Sequence, residues 1–560
     1  MGTDSQPIVY GITNYKGKYP DLRCGEWICT DTEIIEPVKA IRVLPHPLTI
    51  VEELVNRETG TSKLRLAYKR RNRWVELVVP RSQIAKQQQI TELTDVGIMV
   101  TSNTARLLIQ YLNDLESMND IPVRESTSKL GWVNGDTSQF APYDSEIEFD
   151  GELDHRDLFR SIHTKGDADK WFKYISDLRS TGRIELKLPL VASFGSVLMG
   201  LLNSQGFIID LYGFTESGKS VSQMVACSVW ANPLKNHYIG DFEATHASLE
   251  SKCDMLNHLP LFLDDTAKVQ ENQIRNGFAS FVYRLASGKG KSRSNKTLGT
   301  DRERKWSNIT ITNGEHPLSG MVSQSGAKNR IISIECEKGV FEKPADVVDF
   351  IKHNYGHAGR RWVEVIKAVG IEAIEEMYRN EVRQLRKLDG KMAKQINSVA
   401  LLSVTDKLIN EHIFEDNHTL TLQEYESVLS DADDISEFKQ AHGYILDRIS
   451  MNYESLTGKA YGERWGRFEN MQEEDKLYAI LYREKFNELC TSAKVSDKQM
   501  LKWLAENGLS KHDKGRVCKR IVMFPNEKQR EHVMLLMNDY SVPRNEKDGF
   551  KQINFNIEFV

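Results

Sequence analysis

Along residues 1–165 apolar and polar positions alternate in short runs, the period of strands with one buried face. TSKLRLAYKRRNRWVELVVP reads as a hairpin turning at KRRNR, and LGWVNGDTSQFAPYDSEIEFDGEL as strands broken at Asn-Gly-Asp. Some helix is expected as well, as around Thr104–Met118. Over 166–395 the pattern changes. Four apolar runs, Phe207–Leu211, Leu259–Leu263, Ile309–Thr312 and Arg330–Ile334, alternate with helical stretches, which predicts an α/β domain with a parallel sheet. The run Leu190–Leu202 reads as a buried helix, too short to span a bilayer. Helical periodicity dominates from 396 onward. DADDISEFKQAHGYILDRI carries its acids near the start, where a helix dipole favours them. VSDKQMLKWLAENGLSKHDKGRVCKRIVMF reads as helix, Gly-containing turn, helix and strand, and FKQINFNIEF as a closing strand. Helices followed by a strand pair predict a winged helix-turn-helix. The expected domains are a β-rich 1–165, an α/β 166–395, a helical linker or lid 396–470 and a winged helix 471–560.

A chain of 560 residues is too long for one core. Its net charge of −5 gives no global field for nucleic acid, so any such binding must come from local patches. The seven cysteines are dispersed, which suits a reducing bacterial cytoplasm. Cys24 and Cys29 are the only close pair, and no second pair or His-x-x-x-His completes a zinc site. The N-terminal stretch has no apolar signal core, so no membrane partner is expected.

The most specific motif is Gly213-Phe-Thr-Glu-Ser-Gly218-Lys219-Ser220, which fits G-x-x-x-x-G-K-[ST] between an apolar run and a helical stretch. Glycines let such a loop wrap so that amide N–H groups face phosphate, and the helix N-terminus adds its dipole. Gly213, Glu216, Ser217, Gly218, Lys219 and Ser220 are thus the candidate ATP site. Lys219 reaches the phosphates, and the Ser220 hydroxyl ligates Mg²⁺. Chance produces this pattern in about two chains per hundred of this length.

A second apolar run, LPLFLDD, ends in Asp264 and Asp265. The first is placed to hold the metal's shell. The second stands where many ATPases have a Glu acting as base or water-positioner. NITITNGEHPL then puts Asn313 at a strand end, where a polar residue contacts attacking water and γ-phosphate in the additional-strand class. GAKNRIISIEC offers Arg330 as a finger toward a neighbouring subunit's γ-phosphate. The order Lys219, Asp264, Asn313, Arg330 is the layout of AAA+ modules.

From Arg284 to Lys305 the chain carries eight Lys/Arg against two acids, a local charge of +6. Gly288-Lys289-Gly290-Lys291 breaks a helix and allows a hairpin that projects Lys289, Lys291, Arg293 and Lys296 together. Such a hairpin suits a phosphate backbone and reads no bases. A solvated surface loop is the plain alternative.

Taken together, LYGFTESGKSVSQMVACSVWANP, LPLFLDD, ASGKGKSRSNK, ITNGEHPL, NRIISIE and NYGHAGRRWVEVI resemble the replication initiator–helicases of staphylococcal mobile elements, the pathogenicity-island Rep and cassette Cch proteins. The resemblance is clearest over about 125–400. It implies a self-loading, hexameric, MCM-like AAA+ DNA helicase acting at an element's own origin, with 3′-to-5′ polarity. It assigns Lys219 and Ser220 to nucleotide and metal, Asp264 to metal, Asn313 to sensing and Arg330 to the trans finger. Arg360 or Arg361 is a second sensor, the two being left open. Two departures stand out. Related domains usually carry Glu where this chain has Asp265, and only 45 residues separate Lys219 from Asp264.

The expected fold is therefore an α/β AAA+ P-loop core between a β-rich N-terminal domain and a helical C-terminal region containing a winged helix. The expected function is an ATP- and Mg²⁺-dependent helicase and initiator on single- and double-stranded DNA. An origin-binding loader that does not unwind, and an AAA+ protein remodeller, remain as alternatives. The remodeller would need an aromatic pore loop where this chain has Gly and Lys.

Overall fold

The computed structural model describes residues 10–13, 15, 18–133, 135–151, 155–235, 237–242, 244–266, 278–291, 302–322, 325–388, 391–430, 436–457, 462–471, 476–525 and 527–537. The chain divides into two compact units. The first comprises Met1–Val322, Arg330–Leu388 and Ala393–Leu429; the second comprises Ser323–Asn329, Asp389–Met392 and Ser430–Val560.

The first unit begins with an antiparallel sheet of β1 (Tyr10–Ile12), β2 (Arg23–Cys29), β3 (Ile34–Glu36) and β4 (Ile41–Leu44). A second sheet follows, ordered β11-β8-β5-β6-β7, from β5 (Leu48–Asn56), β6 (Ser62–Arg70), β7 (Arg73–Pro80), β8 (Val123–Thr127) and β11 (Glu148–Phe149). The KRRNR hairpin forms as expected. Arg70 pairs with Arg73, and Arg71 and Asn72 both have positive φ, as a two-residue turn matching the strand twist requires. The helix Ala105–Met118 buries Leu108, Tyr111, Leu112 and Leu115, a stripe at helical spacing that packs with Trp27 and Leu44. Truncating Leu108 to Ala would cost roughly 2–5 kcal/mol. The Asn-Gly-Asp break separates β9 (Gly131–Val133) from β10 (Asp136–Ala141), which pair antiparallel.

The same unit holds a five-stranded parallel sheet. Its strands are β12 (Ile208–Tyr212), β13 (Gly240–Asp241), β14 (Leu261–Asp264), β15 (Thr310–Gly314) and β16 (Ile331–Glu335), in the order β13-β14-β15-β12-β16. Four of these are the expected apolar runs. Their near-continuous burial is the mark of a parallel sheet covered on both faces. The two-residue β13 was not anticipated, being too short to leave a pattern. The expected buried helix spans Ile184–Gly195, with every residue from Glu185 onward buried, and tightens into a 3₁₀ turn at Ser196–Leu198. It ends earlier than the apolar run, and there Ser196 Oγ donates to His258 O at 2.8 Å and accepts from Ile309 N at 3.1 Å.

In the second unit the helix Glu437–Met451 is capped by the Ser436 side chain, which accepts from Lys439 N. Two helices, Arg483–Ser492 and Asp497–Glu506, join through a turn with Lys494 at positive φ and share Phe486, Leu489, Met500, Leu501 and Leu504 as a core. They pack with the sheet of β17 (Gly466–Met471), β18 (Lys476–Leu481), β19 (Ser510–Lys511) and β21 (Arg530–Leu536), to which β20 (Lys519–Ile521) adds by pairing with β21. This corrects one expectation: no helix follows the Gly508 turn. The segment becomes β19, a turn and β20, because Arg516 N bonds Asp513 O, the Asp513 carboxylate takes Arg520 N, and Gly515 adopts positive φ. The second helix of the pair lies before Gly508 rather than after it. The expected closing strand FKQINFNIEF lies outside the described residues. Among the described residues no helix is long and apolar enough to cross a membrane.

Candidate functional site

The parallel sheet ends its strands at one edge, the place where α/β folds present ligand sites. Tyr212 runs into the loop Gly213–Gly218, and the helix Lys219–Cys227 starts at once behind it. Backbone geometry explains the loop's composition. Gly213 has φ 142°, and a Cβ there would sit 2.6 Å from Cys336 O. Gly218 caps the helix at φ 98°. Glu216 also takes a positive φ, 65°. The buried Lys219 ammonium donates to Gly213 O at 2.8 Å and Phe214 O at 2.7 Å, with Ser217 Oγ at 3.4 Å. The loop is wrapped around its own cation. Ser220, next along, is exposed.

β15 lies between the loop strand β12 and the acid strand β14, with Asn313 level with Leu211. That register brings Asn313 Nδ2 to 2.8 Å from Asp264 Oδ1 and 2.8 Å from Gln223 Oε1. Gln223 Nε2 in turn donates 3.0 Å bonds to Leu263 O and Ile311 O. Asp265 N donates to Asn313 Oδ1 at 3.3 Å, and its backbone is held at φ 61°. Sequence reasoning singled out Asp264, Asp265 and Asn313 but missed Gln223. The available signal was a polar residue one helical turn after Lys219, on a face that has to pack against the sheet. Lys235 was also missed. Its Nζ stands 2.5 Å from Asp264 Oδ2.

Behind the loop, Asp210 is buried on β12. It accepts from Thr312 Oγ1 and Leu318 N, both at 2.7 Å. Burial pushes its carboxyl up to about 6, against the lowering effect of those bonds. Asp210 thus pins the turn that follows Asn313.

The remaining predicted residues are placed differently. Arg330 is 6% exposed, and its guanidinium lies 4.1 Å from the Tyr283 ring centre. It is packed against that ring within its own chain. Arg360 sits over Tyr143 and donates to Tyr143 O, whereas Arg361 bonds His412 O and faces Glu415. Neither has a described contact with the loop.

The helix Phe278–Ser287 carries Tyr283 and runs into the basic segment. Gly288 takes a positive φ, and Lys289 pairs antiparallel with Lys305 through Gly290 N to Arg304 O and Trp306 N to Gly288 O. The base of a hairpin is therefore in place. Lys129 Nζ donates to Lys305 O at 2.6 Å and pairs with Asp254 at 2.7 Å, which ties that base to the N-terminal β region. Arg293 and Lys296, toward the expected tip, lie outside the described residues.

These features can be set beside known proteins. A family model described as Domain of unknown function (DUF927) matches residues 23–306, just over half of the chain. A model described as Cch helix turn helix domain matches 436–540, which includes the helix pair Arg483–Ser492 and Asp497–Glu506. The solved structure described as SCCmec type IV Cch, active helicase, has the same fold: TM-score 0.66 at 16% identity, covering 92% of this chain and 98% of that one. The apo C-terminal region of NrS-1 aligns with a TM-score of 0.27 at 12% identity, over 68% of this chain and 90% of the other. No curated protein sequence matches. The resemblance to the cassette Cch proteins read from the sequence holds in the fold and in the C-terminal domain. The chain belongs to the family described as Domain of unknown function (DUF927), here carrying a Cch-type helix-turn-helix domain at its C-terminal end.

Proposed function

We propose that this chain is an ATP-dependent DNA helicase and replication initiator that works as a hexamer, translocates 3′-to-5′ on single-stranded DNA and engages duplex origin DNA through its C-terminal helix pair. The observation that carries the ATPase part is the convergence of the Gly213–Ser220 loop, Asp264 and Asn313 at one edge of a parallel sheet, with the Asn313 strand between the other two. The residues fit a magnesium nucleotide. The loop has the two glycines that a close backbone approach requires, the helix behind it presents unsatisfied N–H groups, and Ser220 and Asp264 are hard oxygen donors of the kind Mg²⁺ takes alongside phosphate. When bound, the metal would neutralise charge on the phosphates. Lys219 would turn from Gly213 O and Phe214 O to the phosphates. Asn313 would orient the attacking water, and Asp265 would accept its proton. Arg330 would complete the site of the adjacent subunit. Lys289, Lys291, Arg293 and Lys296 would hold the DNA backbone through a hairpin whose base is tied to the N-terminal region.

The test is hydrolysis measured with and without single-stranded DNA, beside particle mass with and without ATP and Mg²⁺. The reading expects nucleotide-dependent assembly and DNA-stimulated turnover. Hydrolysis unaffected by any DNA, with protein substrates stimulating it instead, would favour the remodeller.

A further inference from the structure

Asp264 uses its two oxygens differently. Oδ1 accepts from Asn313, and Oδ2 faces the Lys235 ammonium at 2.5 Å. The carboxylate is buried, with its side chain 10% exposed, whereas that of Lys235 is 71% exposed. A carboxylate withdrawn from water requires a compensating cation. Lys235 supplies it from a flexible stem anchored outside the site, on the segment that bridges to Ile239 beside β13. The same oxygen is the better placed for a divalent cation, because Oδ1 already accepts a bond from Asn313. An ammonium and a divalent cation repel each other and cannot share one oxygen at contact distance. Lys235 also lines a cleft of about 480 Å³ with Asp241, Lys252 and Asp264, so room exists beside the acid for its side chain to move.

We propose that Lys235 is a displaceable cation that competes with Mg²⁺ for Asp264 Oδ2, so that loading the site with a metal nucleotide requires Lys235 to let go. This rests on the reading of the loop as a nucleotide site and adds a residue that sets its metal requirement. Because Lys235 is largely solvated, the competition is modest, and removing it should ease metal binding by about two- to five-fold.

The experiment uses full-length protein and a fluorescent ATP analogue, with wild type, Lys235→Gln and Lys235→Arg compared. Nucleotide binding is measured in EDTA and across a Mg²⁺ titration. All three should bind alike in EDTA, because Lys235 touches the acid and not the loop. The Mg²⁺ midpoint should fall about two- to five-fold in Lys235→Gln and stay near wild type in Lys235→Arg, which keeps the charge. An unchanged or raised midpoint in Lys235→Gln, with binding in EDTA retained, overturns the inference while leaving the nucleotide site standing. Loss of nucleotide binding by the wild type in both media overturns the loop reading itself, and the role of Lys235 with it.

Discussion

Asn313 donates a 2.8 Å hydrogen bond to Asp264, and through Gln223 that bond is tied to the backbone of two strands. The acid's rotamer is therefore set by the sheet itself, before any ligand arrives. Asn313→Ala leaves Asp264 Oδ1 and Gln223 Oε1 without their donor, in a site where each group is buried. Hydrolysis should fall roughly 100-fold or more while nucleotide affinity changes little, since the loop is untouched. Turnover numbers beside equilibrium binding separate the two effects. An equal loss in both would assign Asn313 to binding or folding rather than to the reaction.

The finger assignment requires Arg330 to exchange the Tyr283 ring for a neighbouring subunit's nucleotide. Arg330→Ala should leave nucleotide binding nearly intact and stop hydrolysis. Mixing it with Lys219→Ala subunits should restore part of the activity, because one boundary of the mixed ring then pairs an intact loop with an intact finger. Absence of rescue at every ratio, in rings whose mixed composition is established by mass, would confine Arg330 to its own subunit.

Asp210 gives the core a pH signature. Its folded pKa, about 6, lies above the ordinary carboxylate value near 3.9. A raised folded pKa contributes stability that is full below the unfolded value and is lost as pH rises through the folded one. The loss therefore falls between about pH 4 and 6 and amounts to roughly 3 kcal/mol at most. Asp210→Asn removes this term and leaves a constant offset. Thermal midpoints taken from pH 5 to 7.5 should show wild type losing ground to Asp210→Asn up to pH 6 and running parallel above it. Parallel curves throughout would mean that the carboxyl titrates normally.

Much of this site was legible in the sequence, for definite reasons. The strands β12, β14, β15 and β16 are apolar runs closed by Gly or acid, and a parallel sheet gives that pattern because both of its faces are covered. The loop motif is legible because its glycines are demanded by backbone angles that other residues avoid. Gln223 and Lys235 were missed because their roles exist only once strands and loops distant in sequence meet. The contact of Arg330 with Tyr283 could not be read from the sequence, because that aromatic partner is 47 residues earlier in the chain. The helix expected after Gly508 is replaced by a turn, because the Asp513 carboxylate takes the backbone N–H of Arg520 seven residues on.

Replacing Lys289, Lys291, Arg293 and Lys296 with Ala removes four charges from the segment that begins at the Lys289–Lys305 bridge, whose Lys305 carbonyl accepts from Lys129 Nζ. The log–log salt slope of single-strand binding should become shallower by about 0.7 for each phosphate that the variant no longer neutralises. Hydrolysis without DNA should largely survive, as should duplex binding through the C-terminal helix pair. An unchanged slope would make this segment a solvated face.

The most direct measurement is strand displacement on a forked duplex with ATP and Mg²⁺, comparing wild type, Lys219→Ala and the four-residue hairpin variant. The account predicts ATP-dependent unwinding by wild type, none by Lys219→Ala, and a loss in the hairpin variant far larger than its loss of DNA-independent hydrolysis. Wild-type protein that hydrolyses ATP and binds the fork yet never separates the strands would contradict it and identify a loader. Unwinding that persists in Lys219→Ala would contradict the nucleotide site on which the whole account is built.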